Sequence, residues 1–154
     1  RFIMLKIFKL SIIFIFVISC GYTPIYSNLK NNDINIQIKN INGDKNINNL
    51  IVQKLERYQN KKKKNIFDLN INSEFEKLIL TKDSAGNATN FRLNLDITFT
   101  ATKNGHTQQY IFFEKFDMKK GDTIFEEQKY ENFIKNDMTN IIIQKFISQL
   151  LIKS

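Results

Sequence analysis

Residues 91–102 read FRLNLDITFTAT, in which apolar and polar side chains alternate at every position. Side chains along a strand point to opposite faces in turn, so this period of two predicts a long strand with one apolar face. Asn104 and Gly105 follow, and both residues tolerate the positive φ that a tight hairpin turn requires. A partner strand is therefore expected beyond the turn, from about Thr107 to Met118.

Two further strands are predicted upstream of this hairpin. Residues 34–38, INIQI, and residues 67–72, FDLNIN, show the same alternation, and the second of these strands begins near Ile66. The second of these strands is expected to continue to Leu80, with a change of phase near Lys77. Residues 83–87, DSAGN, are typical of a turn and end it.

A helix is predicted between the first two strands. Residues 42–44, NGD, break the first strand and offer Asp44 as a helix N-cap. The apolar residues that follow recur at spacings of three and four and form one stripe, and the lysine run at 61–64 ends this helix. The stripe consists of Ile47, Leu50, Ile51, Leu55 and Tyr58.

A longer helix is predicted from near Thr123 to the end of the sequence. Its apolar face is wide enough to cover a sheet. Glu126, Glu127 and Glu131 are interpreted as solvated acids near its start, where they also suit the positive end of the helix dipole. The apolar face consists of Phe133, Ile134, Met138, Ile141, Ile142, Phe146, Ile147 and Leu150.

The predicted order of elements is strand, helix, three antiparallel strands, helix. Each strand has one apolar face, so both helices must cover the same face of a single sheet. The sequence thus predicts an α+β fold, a two-layer sandwich with a four-stranded, mainly antiparallel sheet and two helices on one face (β-α-β-β-β-α). The opposite face is expected to be polar, rich in Asn, Thr and Gln, and either bathed in water or packed against a polar partner.

The N-terminal residues are predicted to lie outside this domain. Residues 1–9 are short and basic and residues 10–18 are almost wholly apolar, which is the layout of a signal peptide. The apolar run is about half of the roughly 20 residues that a transmembrane helix needs. The chain opens with Arg1, and Met4 is expected to be the biological start. The predicted boundaries are 1–19 for the signal peptide, 20–32 for a tether and 33–154 for one domain.

Residues 17–20, VISC, resemble the lipobox of bacterial lipoproteins, in which an aliphatic residue, a spacer and a small residue precede a cysteine. Cys20 is the only cysteine and stands where the apolar run ends, so we predict that it is the acylated first residue of the mature protein. The alternative is a buried or stray cysteine. Several acyl chains, at about 0.8 kcal/mol per buried CH₂, would hold the protein on a membrane. Gly21 follows in place of the Asp that retains many lipoproteins at the inner membrane, which favours the outer membrane.

The chain is basic, with a formal net charge of +8. Loss of Arg1, Lys6 and Lys9 with the signal peptide leaves +5. An exported protein does not meet nucleic acid, so phosphorylated lipids and glycolipids are the expected anionic partners. The composition of an AT-rich genome is the alternative explanation of the charge.

Three basic features are candidates for contact with lipid phosphate. The guanidinium of Arg92 suits bidentate contact with a phosphate, and its alternative role is a cross-strand salt bridge. A lysine run after a helix is alternatively a solvated loop. The candidates are Arg92, Lys61, Lys62, Lys63, Lys64, Lys119 and Lys120.

The sequence carries no recognisable catalytic constellation. His106 is the only histidine, and its position beside the predicted turn favours an exposed structural role. No glycine-rich phosphate loop and no metal-ligand spacing occurs. We therefore predict a protein that is not an enzyme and has no cofactor and no metal.

Residues 20–26, CGYTPIY, resemble the start common in alphaproteobacterial members of the LPS-assembly lipoprotein LptE family. The resemblance continues in residues 89–93, TNFRL, where Arg92 opens a long alternating strand. It ends with the C-terminal helix over residues 125–150, which has a similar acidic start and aliphatic end. The chain departs from many relatives at Ser27, where a Gly often follows the Tyr.

This resemblance implies an outer-membrane lipoprotein that faces the periplasm. Members of the family plug the large β-barrel LptD, help it to assemble and bind lipopolysaccharide on its way to the outer leaflet. The resemblance therefore implies an LptD-type barrel and lipopolysaccharide as partners. The alternative is a freestanding periplasmic lipoprotein that pilots a secretin or activates a cell-wall synthase and has no glycolipid ligand.

Overall fold

The computed structural model describes residues 34–60 and 65–152, which belong to a compact unit over residues 33–154. The predicted signal peptide, tether and Cys20 lie outside the described residues. Neither described helix is long and apolar enough to cross a membrane. The elements are β1 (Ile34–Gly43), α1 (Lys45–Leu55), a 3-10 turn (Glu56–Tyr58), β2 (Asn65–Lys82), β3 (Ala88–Lys103), β4 (His106–Lys119) and α2 (Ile124–Ile152).

The sheet has the strand order β1-β2-β3-β4. β1 pairs parallel with β2, and the other two pairs are antiparallel. A parallel pair needs a crossover connection, and α1 supplies it. Both helices cover the same face of the sheet, so the predicted two-layer α+β fold with the order β-α-β-β-β-α is confirmed.

β3 and the turn that follows it agree closely with the sequence pattern. The apolar members of the alternation face the helices, and four of them, Leu93, Leu95, Ile97 and Phe99, are fully buried. Asn104 and Gly105 have φ of 51° and 81°, as a two-residue hairpin turn requires. β4 pairs with β3 without a register shift, from Lys103 opposite His106 to Asn90 opposite Lys119.

α1 begins where the sequence predicts. The Asp44 carboxylate accepts a hydrogen bond from the Ile47 N–H at 2.9 Å and so caps the first turn. Ile47, Ile51 and Leu55 are fully buried against the sheet. The α-helix ends at Leu55, ahead of the lysine run, and a 3-10 turn follows it.

α2 buries most of its predicted face but not all of it. The sequence predicts Phe133 as part of the apolar face, yet 65% of it is exposed, whereas Ile134 is buried. The buried stripe of α2 runs from Ile134 through Met138, Ile142 and Phe146 to Leu150, and Phe133, about 100° round the helix from Ile134, lies beside this stripe and not on it. Ile143, absent from the predicted face, is fully buried.

β2 is one continuous strand, and the predicted change of phase near Lys77 is wrong. Phe75, Lys77 and Ile79 all point to the helix side, and the two register shifts come later, between Ile79 and Thr81 and between Thr81 and Lys82. Lys77 occupies an inward position because its ammonium donates to Glu127 at 2.7 Å and to Glu131 at 2.9 Å.

The same contacts correct the prediction for the acids of α2. The side chains of Glu127 and Glu131 are more than four-fifths buried and bind Lys77, and Glu131 also pairs with Lys135 at 2.7 Å. Burial alone would lower the pKa of Lys77, but its hydrogen bonds to both glutamates raise it. Burial alone would raise the pKa of Glu131, but its hydrogen bonds to both lysines lower it. Only Glu126 is exposed as predicted.

We expect Lys77→Met to destabilise the domain by about 1–3 kcal/mol, because Glu127 then loses its ion-pair partner in a partly buried site. The stabilising contribution of Glu131 to the fold is present at neutral pH and is lost as pH falls through the lowered pKa of Glu131. The stabilising contribution of Lys77 to the fold is lost as pH rises through the raised pKa of Lys77. Urea unfolding followed by circular dichroism measures the change.

The matched control is Lys39→Met. Lys39 pairs with Asp68 at 3.3 Å, but about half of each side chain is exposed. This pair is expected to contribute only about 0–1 kcal/mol. Equal losses in the two variants would contradict a structural role for the inward position of Lys77.

The open face of the sheet, on the side away from the helices, is mostly polar but not uniformly so. Ile111 and Phe113 of β4 lie on this face and are 67% and 51% exposed. Residues 110–113 are four consecutive apolar residues, so two of them must fall on each face. The predicted face of Asn, Thr and Gln therefore also carries an exposed apolar pair at its edge.

Candidate functional site

The structure brings some of the predicted basic residues together and separates others. Arg92, Lys119 and Lys120 lie at the end of the sheet that carries the turn at residues 83–87. Asp117 faces Arg92 across the strand pair, and Lys119 faces Asn90 one step further along. We call Arg92, Asp117, Lys119 and Lys120 the turn-end cluster. The lysine run, Lys61 to Lys64, lies outside the described residues.

Arg92 is held by a two-pronged ion pair. Its Nε donates to Asp117 Oδ1 at 2.7 Å and its Nη2 donates to Oδ2 at 2.8 Å. The cross-strand salt bridge considered as the alternative role of Arg92 is thus confirmed. A guanidinium has five N–H donors, so three remain for a further acceptor such as a phosphate oxygen.

The pair changes the charge that this site presents. The hydrogen bonds raise the pKa of Arg92 and lower the pKa of Asp117, so both groups stay ionised and offset each other. Lys119 and Lys120 are exposed and add positive charge. Hydrogen bonds from Asn87 are the main cause of the lowered pKa of Asp83, and Lys120 contributes to it. The net positive charge of the cluster therefore comes from Lys119 and Lys120.

We expect the Asp117 carboxyl to titrate below the ordinary range of an aspartate, and Arg92→Gln to raise its pKa. Because the folded pKa is lowered, this group stabilises the fold above its unfolded pKa and loses that contribution as pH falls. A carboxyl NMR titration measures the shift. Lys115 is a lesser cause of the lowered pKa, so Lys115→Gln is the matched control with a smaller effect. An ordinary pKa in the unmodified protein would contradict the ion pair.

An acidic group on the open face was not predicted. Glu74 of β2 lies directly opposite Asp96 of β3, and Glu76 is close by. Burial, then the charges of Glu74 and Glu76, raise the pKa of Asp96. None of the ion pairs within residues 34–60 and 65–152 involves these acids. Their closeness depends on strand register, which no local signal in the sequence reveals.

An aromatic patch, also unpredicted, lies where α2 passes the edge strand β4. We define it as Phe116, Tyr130 and Phe133. The Tyr130 ring stacks on Phe133 and meets Phe116 edge-on, with centroids 6.4 Å apart in both pairs. All three residues are exposed. Exposed apolar clusters of this kind mark interaction surfaces, and the only sequence signal was the density of aromatic residues.

Known proteins resemble this chain in fold. No protein-family model matches the sequence. No curated protein matches it at a significant level. Rare lipoprotein B from Shewanella oneidensis has a similar structure, with a TM-score of 0.52 and 14% identity over 73% of this chain and 96% of that one.

A second solved structure agrees. The uncharacterized lipoprotein B from Nitrosomonas europaea has a TM-score of 0.50 and 14% identity over 76% of this chain and 82% of that one. At this level of identity the likeness concerns the fold alone. The domain described here therefore has the two-layer α+β fold of these two lipoproteins.

Proposed function

We propose that this chain is an outer-membrane lipoprotein that faces the periplasm, plugs and helps to assemble an LptD-type β-barrel, and takes part in lipopolysaccharide transport to the outer leaflet. The observation that carries the proposal is the likeness to rare lipoprotein B, an LptE-like fold, over 96% of that chain. The lipobox-like residues at 17–20 and the family-like start at 20–26 support it independently.

Acylation of Cys20 would anchor the domain without pressing it against the bilayer. β1 begins at Ile34, fourteen positions after Cys20. An extended chain reaches roughly 3.3–3.6 Å per residue, so this stretch can span about 46–50 Å. Such a tether gives the domain room to enter a partner while the acyl chains stay in the membrane.

Two groups of basic residues are candidates for lipopolysaccharide phosphate: one adjoins the start of β2 in the sequence, and the other lies at the far end of this strand in the fold. The lysine run, Lys61 to Lys64, immediately precedes Asn65, where β2 begins, whereas the turn-end cluster lies where β2 ends at Lys82. At about 3.3 Å per residue, the two ends of β2 are roughly 55 Å apart. The two groups therefore have to be tested as separate sites.

Arg92 can contribute to such a site only alongside Asp117. A phosphate would bind through the guanidinium N–H groups that Asp117 leaves unused, with Lys119 and Lys120 adding attraction. The carboxylate of Asp117 opposes an anion, so we expect modest affinity and a strong dependence on salt. Asp117→Asn should strengthen lipopolysaccharide binding at this cluster.

An affinity pull-down of the acylated protein from detergent-solubilised outer membranes tests the proposal. We expect one large β-barrel at about one-to-one stoichiometry, identified by mass spectrometry. Recovery of a secretin, a cell-wall synthase or no partner would favour the freestanding lipoprotein instead.

Lipopolysaccharide binding is tested with charge reversals in each group. Arg92→Glu and a fourfold Lys→Glu change over residues 61–64 are compared with Lys129→Glu, a reversal at an exposed lysine on α2. Loss of binding in one of the first two, with Lys129→Glu unchanged, would locate the ligand. Unchanged lipopolysaccharide binding in both the Arg92→Glu variant and the fourfold lysine variant would show that neither group binds the ligand.

A further inference from the structure

β4 is the outermost strand of the described sheet and has a neighbour, β3, on one side. Lys103 and His106 flank a two-residue turn, so they form a hydrogen-bonded pair. Hydrogen-bonded and non-bonded positions alternate along an antiparallel pair. The backbone groups of the odd-numbered residues from Thr107 to Lys119 therefore point away from β3 and offer a second ladder.

This edge lacks most of the features that usually block strand pairing. Proteins protect such edges with prolines, bulges or charged side chains. β4 contains no proline, and its register against β3 shows no shift. In its central part, Ile111 and Phe113 project from the open face and are largely exposed. An exposed apolar pair beside a hydrogen-bonding edge that no described strand occupies is a surface suited to another strand.

We propose that this edge pairs with β4 of a second copy of the chain, antiparallel about a two-fold axis at Phe112. In this register Ile111 of each copy lies directly opposite Phe113 of the other. Cross-strand pairs between aromatic and β-branched residues are among the favourable ones in sheets. The two-fold axis makes this contact twice, with the same surface on each copy, as isologous dimers require.

The charges of β4 permit this register. With the axis at Phe112, Lys115 lies opposite Gln109, Asp117 opposite Thr107 and Glu114 opposite Tyr110. No like charges face each other from His106 to Met118. An axis at Glu114 or Lys115 would instead place two like charges directly opposite, which is unfavourable. The register that covers the exposed apolar pair therefore brings no like charges together.

Dimerisation through β4 involves only the described domain and does not depend on the proposed function. The test uses the chain from residue 20 onward with Cys20→Ser, which prevents acylation and removes the only cysteine. Sedimentation velocity at increasing concentration should show a species of twice the monomer mass. Ile111→Lys should abolish it, because a lysine at the centre of an edge strand opposes pairing.

The matched control is Phe133→Lys, which changes an equally exposed apolar residue on α2. This variant should still dimerise. A monomer at all concentrations in the unmodified chain, or a dimer that survives Ile111→Lys, would overturn the proposal. Loss of the dimer in Phe133→Lys alone would move the interface to the aromatic patch and overturn it as well.

Cross-linking tests the register. Chains with Ile111→Cys and chains with Phe113→Cys are mixed under mild oxidation. Opposed residues of a hydrogen-bonded pair have Cα atoms about 5.5 Å apart, within the range of a disulfide. The mixture should give several-fold more disulfide dimer than either variant alone. Equal yields in the three samples would rule out the axis at Phe112.

Discussion

Phe146→Ala is expected to remove about 3–5 kcal/mol of folding free energy, the range for loss of a large aromatic side chain from a core. Phe146 is fully buried and joins α2 to two strands. Its ring stacks on Phe99 with centroids 4.1 Å apart and meets Tyr110 edge-on at 5.4 Å. Domains of this size are stable by only about 5–15 kcal/mol, so the variant should be close to unfolding.

Urea unfolding followed by circular dichroism measures the loss, since the chain has no tryptophan. Phe133→Ala is the matched control, because it removes the same side chain from an exposed position on the same helix. We expect a change of no more than about 0.5 kcal/mol there. A loss at residue 133 as large as that at residue 146 would restore the core assignment that its sequence position suggested.

Gly43→Ala is expected to destabilise the domain by about 3 kcal/mol or more, because backbone strain and a steric clash act together. Gly43 has φ of 104°, and a Cβ built there would lie 1.7 Å from the backbone oxygen of Ser73. Ser73 is fully buried and its oxygen accepts a hydrogen bond from the Asp44 N–H, so β2 cannot easily retreat.

Thermal unfolding should show the midpoint falling by about 10 °C or more, given a few degrees per kcal/mol for a domain of this size. Gly86→Ala separates the two causes, because Gly86 has φ of 85° but no atom within 4 Å of an added Cβ. Its expected cost is only about 1–2 kcal/mol, the penalty for the left-handed conformation. Equal losses of stability in Gly43→Ala and Gly86→Ala would show that the clash with the Ser73 backbone oxygen does not contribute.

Much of the fold could be predicted because its signals are local. Alternation over residues 91–102 predicted β3, Asn104 and Gly105 predicted the hairpin, and Asp44 predicted the start of α1. Each signal depends on the side chains of a few neighbouring residues and on their φ and ψ preferences. The order of elements, together with one apolar face per strand, was then enough to predict the two layers.

The candidate site was less predictable because its contacts join distant parts of the chain. Arg92 was a candidate from its own chemistry, but its pairing with Asp117 depends on the register of β3 and β4. The acidic group around Asp96 likewise depends on which residue of β2 lies opposite. A shift of one residue would change every such neighbour.

The sequence by itself determined the element types, the turn residues and the face of each strand, because periodicity and backbone preference act over short distances. Only the tertiary structure decided which charged residues meet. It placed Lys77 inward against Glu127 and Glu131, where a change of phase had been predicted. It also left Phe133 exposed although its neighbour Ile134 is buried. A buried charge is tolerated only when a partner arrives from elsewhere in the chain, and that partner is a property of the packed fold.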